Sequence, residues 1–209
     1  MIRIAPEGWP FIIGASVIAA GLAVAGWVMP LALWLPVAVW VVAFFRDPVR
    51  SGPRGDTVVI APADGKVVSV IPIDEPSYLG GHSTRVSIFM NVFDVHVNRY
   101  PADGTIEHRA YLPGRFLNAA TEKASRENEQ SSVGLRTPRG PLLIRQIAGL
   151  VARRIITDHA EGAQVTQGSR MGLIRFGSRV DVFLPPGAVP RVHAGERTRA
   201  GQTVIAEWT

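Results

Sequence analysis

The sequence predicts a mainly β protein of the α+β class, a sandwich- or barrel-like β domain preceded by N-terminal hydrophobic helices. Three observations predict it. Phe11 to Phe45 is a run of 35 residues without one Asp, Glu, Lys, Arg or His. After Pro48 the chain breaks into short β-branched stretches separated by Gly and Pro, the punctuation of strands and turns. No cysteine occurs among the 209 residues, so neither a disulfide framework nor a thiolate metal site holds the fold together.

The apolar run comes first. As one helix, its 35 residues would reach about 52 Å, well beyond a hydrocarbon core of about 30 Å. Met29-Pro30 divides it, because proline clashes with the preceding helical turn, leaving Phe11–Val28 and a shorter Leu31–Phe45 interrupted by Pro36. Trp9, Trp27, Trp34 and Trp40 all fall in this region, as interfacial belts prefer. Arg46, Arg50 and Arg54 follow at once, which by the positive-inside rule puts the bulk of the chain on the cytoplasmic side of the cell membrane. A cleaved signal peptide fits poorly, since the tract is too long and no small-residue cleavage site precedes Arg46. Residues 1–48 are therefore expected to form a membrane-anchoring helical hairpin, and residues 49–209 a β-rich domain.

In that domain the β-branched runs predict strands at Thr57–Ile60, Lys66–Ile71, Arg85–Met90, Val95–Asn98, Thr105–Tyr111, Leu142–Gln146, Arg153–Thr157, Gln164–Gln167, Leu173–Phe176, Val180–Leu184 and Thr203–Trp208. Turn signals at this spacing are those of a sandwich or barrel. Helical signals are confined to Ala119–Asn128, a short helix or ordered loop, and to one turn over Ala148–Arg153. Pro62-Ala63-Asp64-Gly65 recurs as Pro101-Ala102-Asp103-Gly104, each copy opening a strand. Pro presets φ and Gly supplies a positive φ in such turns. The two glycines bracketing Gly195–Gly201 resemble a lipoyl- or biotinyl-type hairpin. A carrier of that kind displays a lysine at its hairpin tip, and neither Lys66 nor Lys123 sits in such a place.

The formal charge of +5 comes almost wholly from arginine, whose planar fork suits carboxylate and phosphate, so an anionic partner is expected. Nucleic acid is not, because no basic run is interleaved with aromatics. Neither a Gly-rich phosphate loop nor a Gly-x-Ser-x-Gly elbow is present. The densest chemical constellation is Asn91-Val92-Phe93-Asp94-Val95-His96-Val97-Asn98-Arg99, an acid, an imidazole, an amide and a guanidinium in otherwise apolar company. On a strand, Asp94, His96 and Asn98 share one face, where a carboxylate can orient the imidazole and fix its tautomer. His82, His108, His159 and His193 lie in polar or mixed settings, and no histidine pair has the helical spacing of metal ligands. Gly177-Ser178 lies between two apolar runs, where a strand is expected to continue and no turn partners stand beside it.

Taken together these residues resemble the phosphatidylserine decarboxylase proenzyme family in its short bacterial form. The resemblance is carried by Ala61-Pro62-Ala63-Asp64-Gly65, Phe93-Asp94-Val95-His96-Val97-Asn98-Arg99, Lys123-Ala124-Ser125-Arg126-Glu127-Asn128-Glu129, Gln146-Ile147-Ala148-Gly149 and Arg175-Phe176-Gly177-Ser178-Arg179-Val180-Asp181, with Phe44-Phe45-Arg46-Asp47-Pro48 closing the hydrophobic segment. It implies a self-processing enzyme cut between Gly177 and Ser178 into chains 1–177 and 178–209, with Ser178 becoming a pyruvoyl group. That cofactor forms a Schiff base with the substrate amine and decarboxylates phosphatidylserine to phosphatidylethanolamine. His96 matches the family's catalytic histidine and Asp64 its processing aspartate, with secondary roles implied for Asp94 and Arg99. Longer family members carry a second histidine three positions after the one matching His96. Arg99 stands there in this chain, so the base for self-cleavage is open. The partners implied are an anionic phospholipid, the two chains of one precursor and a second copy in a homodimer. Two other readings remain at this level, a membrane-tethered lipoyl-like binding module without chemistry, and a pyruvoyl enzyme acting on a different substrate.

Overall fold

The computed structural model describes residues 2–121, 123–149, 154–175 and 177–209. The chain forms two compact units that divide between Val49 and Arg50. In the first, β1 (Ile2–Ile4) pairs antiparallel with β2 (Arg46–Pro48), enclosing α1 (Trp9–Val24) and α2 (Val28–Phe44). Both helices are apolar on every side, and most of their side chains face outward. Among the described residues Pro6–Val24 is long and apolar enough to cross a membrane, whereas α2, at 17 residues, is shorter. The indole of Trp34 donates to the Ala15 carbonyl at 2.9 Å, joining α2 to α1. The break between them differs from the expected one. It falls at Ala25–Trp27, with Gly26 at φ 68°, and Pro30 lies in the first turn of α2. A proline is tolerated there because the first helical N–H groups have no intrahelical acceptor.

The second unit is built from β3 (Val58–Ile60), β4 (Gly65–Glu75), β5 (Gly81–Met90), β6 (Val97–Arg99), β7 (Gly104–Leu112), the short α3 (Ala124–Glu127), β8 (Gln130–Thr137), β9 (Gly140–Ala148), β10 (Ile155–Thr157), β11 (Gln164–Val165), β12 (Arg170–Ile174), β13 (Ser178–Leu184), β14 (Ala188–Pro190), β15 (Arg197–Thr198) and β16 (Val204–Trp208). Eight strands form one antiparallel sheet in the order β11-β7-β8-β9-β13-β5-β4-β15. Two three-stranded sheets, β10-β12-β6 and β14-β16-β3, complete the unit. The mainly β expectation holds.

The large sheet reads as a palindrome about the β9–β13 pair. On one side Val67 N–H donates to Glu196 O at 2.8 Å and Gly195 N–H to Val67 O at 2.8 Å. On the other, Ile106 N–H donates to Ala163 O at 3.0 Å and Gly162 N–H to Ile106 O at 2.8 Å. Register shifts recur at Val67/Ser69 and Ile106/His108. The repeated Pro-Ala-Asp-Gly turns are the corners of these two halves. In each, a Cβ on the glycine would run into the neighbouring strand's backbone, the Phe89 carbonyl for Gly65 and the Arg136 carbonyl for Gly104.

Along β13 the side chains alternate. Val180, Val182 and Leu184 enter the hydrophobic core with Val86, Ile88 and Ile144. Arg179, Asp181 and Phe183 face the other way and are buried as well. That second layer is ionic. Asp181 accepts both Nε and Nη2 of Arg179, at 2.8 and 2.9 Å, and lies 4.0 Å from Arg85. Arg145 bonds Glu75 at 3.4 Å and sits 4.8 Å over the Phe183 ring. Burial draws the Arg145 guanidinium below its usual range, against the opposing pull of Glu75 and Asp181.

Several local expectations change. The strand predicted to run through Gly177-Ser178 is two strands in two different sheets, β12 and β13. The strand expected at Val95–Asn98 begins only at Val97, so Asp94 and His96 lie in the preceding turn and not on a shared strand face. β8 had no counterpart among the predicted strands. The helix expected over Ala119–Asn128 is reduced to α3. Ala148 ends β9. The remainder of the turn predicted to Arg153, and Phe176 at the end of the predicted Leu173–Phe176, fall at positions 150–153 and 176, outside the described residues.

Candidate active site

Gly177 is the joint at which the chain leaves one sheet and enters another. Its φ of 71° lies in the left-handed region that glycine alone adopts readily, and an added Cβ there would meet nothing within 4 Å. Conformation, not space, therefore selects glycine at 177. At Gly149 the reason is reversed, because a Cβ would collide with the Gly177 carbonyl oxygen and would stand 3.3 Å from the Ala119 Cβ. The carbonyl preceding Ser178 is thus packed directly on the backbone that follows β9.

Ser178 opens β13 and is paired on both flanks, with Met90 of β5 and Ala148 of β9. The residue is fully buried, and its Oγ has no hydrogen-bond partner among the described residues. A buried hydroxyl left unpaired costs about 1–3 kcal/mol, so it calls for an explanation beyond packing. His96, also fully buried, is beside it in the chain path: its Nε2 accepts the Gly177 N–H at 3.3 Å and its Nδ1 lies 3.0 Å from the Asp94 carbonyl. A carbonyl only accepts and an amide N–H only donates. Nδ1 therefore carries the proton, and the Nε2 lone pair faces the peptide before Ser178.

The ring is oriented by the backbone of Asp94, not by its carboxylate. That carboxylate is held by Arg197 through Oδ1 and by the Asn91 N–H, at 3.0 Å, through Oδ2. Asp64 is likewise engaged elsewhere, by Arg50 at 2.6 Å and the Ala200 N–H at 2.7 Å. Each carboxylate is thus held by an arginine and a backbone N–H. The two share a cavity of about 360 Å³ with Arg197, Thr198, Arg199 and Thr203. Arg99 lies apart from the serine, donating to the Gly168 carbonyl at 3.0 Å. Asn98 faces inward and receives Gln146 Nε2 at 2.8 Å, and Gln146 in turn accepts Thr157 at 2.9 Å. His82, His108, His159 and His193 sit with Asp74, Tyr78, Tyr100 and Glu196 respectively, away from this cluster.

Two residues escaped sequence reasoning. Asn128, fully buried, donates to the carbonyls of Leu117 and Ala148 at 2.8 and 2.7 Å and accepts the Leu117 N–H at 2.9 Å. Arg179 donates to the Ala119 and Thr121 carbonyls at 3.0 and 3.1 Å and to Ser125 Oγ. Together they hold the segment between β7 and β8 against Gly149 and the Gly177 carbonyl. Their signal was present, since both stand inside quoted motifs, but nothing in a linear sequence says which backbone an Asn or Arg will satisfy.

The family model for phosphatidylserine decarboxylase matches residues 37–206. The chain belongs to the phosphatidylserine decarboxylase family. It is 50% identical over 207 residues to a phosphatidylserine decarboxylase proenzyme of Nitrosomonas eutropha, covering 98% of this chain and 95% of that protein. Proteins of the same description from Nitrosomonas europaea and Aromatoleum aromaticum are 49% and 47% identical, each over 98% of this chain and 95% of the relative. The matched span takes in the whole second unit except its last residues, and with them Asp64, His96, Gly149, Gly177 and Ser178.

Proposed function

We propose that this chain decarboxylates phosphatidylserine to phosphatidylethanolamine after cutting itself between Gly177 and Ser178. The observation that carries the reading is the buried, unpartnered Ser178 Oγ beside a left-handed glycine whose carbonyl is immobilised against Gly149. In the self-cleavage step His96 Nε2 gives up the Gly177 N–H and takes the Ser178 hydroxyl proton. Oγ attacks the Gly177 carbonyl carbon through a five-membered ring, the C–N bond breaks, and the protonated amine is left on Ser178 with Gly177 as its ester. Loss of the Ser178 α-proton expels the Gly177 carboxylate with its electron pair and leaves a dehydroalanine. Water then releases ammonia and leaves a pyruvoyl cap on residue 178. Glycine serves at 177 because the left-handed backbone that presents this carbonyl to Oγ is one that glycine adopts readily.

The residues fit that prosthetic group: Ser178, whose Cα becomes the ketone carbon, is fully buried, and the Oγ that departs with Gly177 has no hydrogen-bond partner among the described residues to hold it. The pyruvoyl group supplies a carbonyl that condenses with the substrate amine and accepts the electron pair freed by departing CO₂. In turnover His96 is the proton carrier, its Asp94-fixed tautomer keeping Nε2 at the reacting end. Asp64 and Asp94 act at one remove: both line the cavity beside the His96 turn, where Asp94 holds Arg197 and Asp64 is itself held by Arg50. That arginine-lined cavity is the candidate site for the headgroup phosphate. The apolar helices hold the enzyme at the membrane that contains its substrate, with the second unit on the cytoplasmic side.

Intact-mass measurement tests the reading. Two chains, 1–177 and 178–209, the smaller lacking a free amine, are expected in place of one 22.6 kDa polypeptide. Ser178→Ala should abolish both cleavage and CO₂ release, and His96→Ala should depress both. A chain that decarboxylates phosphatidylserine while intact would overturn it.

A further inference from the structure

Sheet register places the exits of several strands at one end. Leu112 of β7 stands opposite Gln130, Gln130 opposite Ile147, Ile147 opposite Arg179, and Arg179 opposite Phe89. The end of β7, the start of β8, the end of β9, the start of β13 and the end of β5 are therefore one edge of the second unit, and Ser178 lies on it. Large apolar side chains are exposed at this edge. Phe93, in the turn that leads to His96, is 71% exposed, and Tyr111, Leu112 and Phe116 are 62%, 55% and 38% exposed. Elsewhere on the second unit, the described large hydrophobics with comparable exposure are only Ile71 and Val189. Burial of such side chains is favourable, so large apolar side chains gathered in solvent at one edge mark an interaction surface.

Cations stand among them. Arg115 and Lys123, on the same β7–β8 segment as Phe116, are largely exposed, as is Arg197 beside Asp94, while their acidic neighbour Glu127 is drawn inward to pair with Arg115 and Lys123. That segment is tied to the reaction centre, since Arg179 and Asn128 hold it and Ala119 lies against Gly149. We infer that this edge, through Phe93, Leu112 and Phe116 ringed by Arg115, Lys123 and Arg197, docks on an anionic phospholipid surface, a second membrane contact beyond the apolar helices. Apolar side chains among basic ones are the composition of an interfacial contact with anionic lipid.

The absence of native cysteine makes the test direct. Spin labels are placed one at a time in the full chain by Phe93→Cys, Leu112→Cys and Phe116→Cys, with Asp74→Cys and His82→Cys as controls at the opposite edge. The proteins are reconstituted in vesicles of phosphatidylglycerol and phosphatidylcholine, which contain no serine lipid, so the readout is independent of decarboxylation. The ratio of oxygen to nickel-chelate accessibility should be several-fold higher at 93, 112 and 116 than at 74 and 82. It should fall toward the control value in phosphatidylcholine alone. Water-like ratios at all five positions would overturn the inference. So would dipolar broadening at 93, 112 and 116 without oxygen access, which would mark the edge as a contact between two copies of the chain.

Discussion

The two halves of the palindromic sheet share a plan but not a chemistry. Asp64 and Asp103 occupy equivalent turns, the first gripping Arg50 and Ala200, the second accepting the Gln167 N–H at 2.7 Å. β13 and β9 are the equivalent central strands, and the chain enters them in different ways. β9 is reached by a tight hairpin in which the Thr137 hydroxyl donates to the Gly140 carbonyl at 2.7 Å and accepts the Arg139 and Gly140 N–H groups at 3.2 Å each. β13 is reached from another sheet through Gly177, with an imidazole on the preceding amide and a hydroxyl that nothing occupies. A locked hairpin in one half corresponds to the proposed cleavage joint in the other. On that proposal, reactivity comes from how the strand is entered, since the strand itself is common to both.

The sharpest way to break that contrast is Gly149→Ala. Its methyl would strike the Gly177 carbonyl oxygen, so self-cleavage followed by gel or mass should fall by more than about tenfold, a loss of at least about 1.4 kcal/mol in barrier terms. Gly177→Ala, which has space but the wrong φ, should slow cleavage less. Asp181→Ala removes the acid between two buried arginines. Breaking a buried ion pair costs about 3–5 kcal/mol, and denaturant unfolding should show a loss of that order together with slower cleavage, because Arg179 then loses its hold on the loop above Gly149. Thr137→Val tests the silent half. It should lower stability by about 1 kcal/mol in the same assay and leave the cleavage rate unchanged.

Much of this contrast was readable in the sequence, and some of it was hidden. The repeated Pro-Ala-Asp-Gly announced the two corners because turn chemistry is local. β-Branched runs announced most strands, since alternation and turn residues act over a few positions. β8 was hidden because Gln130-Ser131-Ser132 and Gly134 do not look apolar, yet the strand is buried from Gln130 to Leu135. Its glycine is there for Tyr78, whose ring would meet an added Cβ at 2.8 Å, a contact 56 positions distant in sequence. The break at Gly177 was hidden for the opposite reason. Apolar residues continue on both sides, and only the tertiary change of sheet reveals a positive φ. Ser178 and His96 were singled out by motif and residue type. That Asp94 would act through its carbonyl, and that Asp64 would face Arg50, depends on pairings that no spacing encodes.

The smallest predicted effect concerns the ionic layer behind β13. Burial raises the Glu75 carboxyl, but hydrogen bonds from Ser77, Tyr78 and Leu79 outweigh it and hold the group below the usual carboxylate value. Its contribution to stability is therefore complete above the unfolded-state value of about 4.3 and lost as pH falls through the lower folded value. In Glu75→Gln, thermal unfolding should show a shallower decline of stability on acidification below about pH 4, with little change in slope at neutral pH.

The placement of Ser178 between two paired strands has a consequence for the product of the proposed cut. Residues 178–184 are bonded on one flank to β5 and on the other to β9, and β15 and β16 of the same piece pair with β4 and β3 of the larger one. Severing the chain at 177 thus converts an intramolecular fold into a fragment complex whose smaller member supplies the sheet's central rib. Its dissociation and its unfolding become one event. The melting temperature of the processed enzyme should rise with protein concentration, whereas that of the uncut Ser178→Ala chain should not.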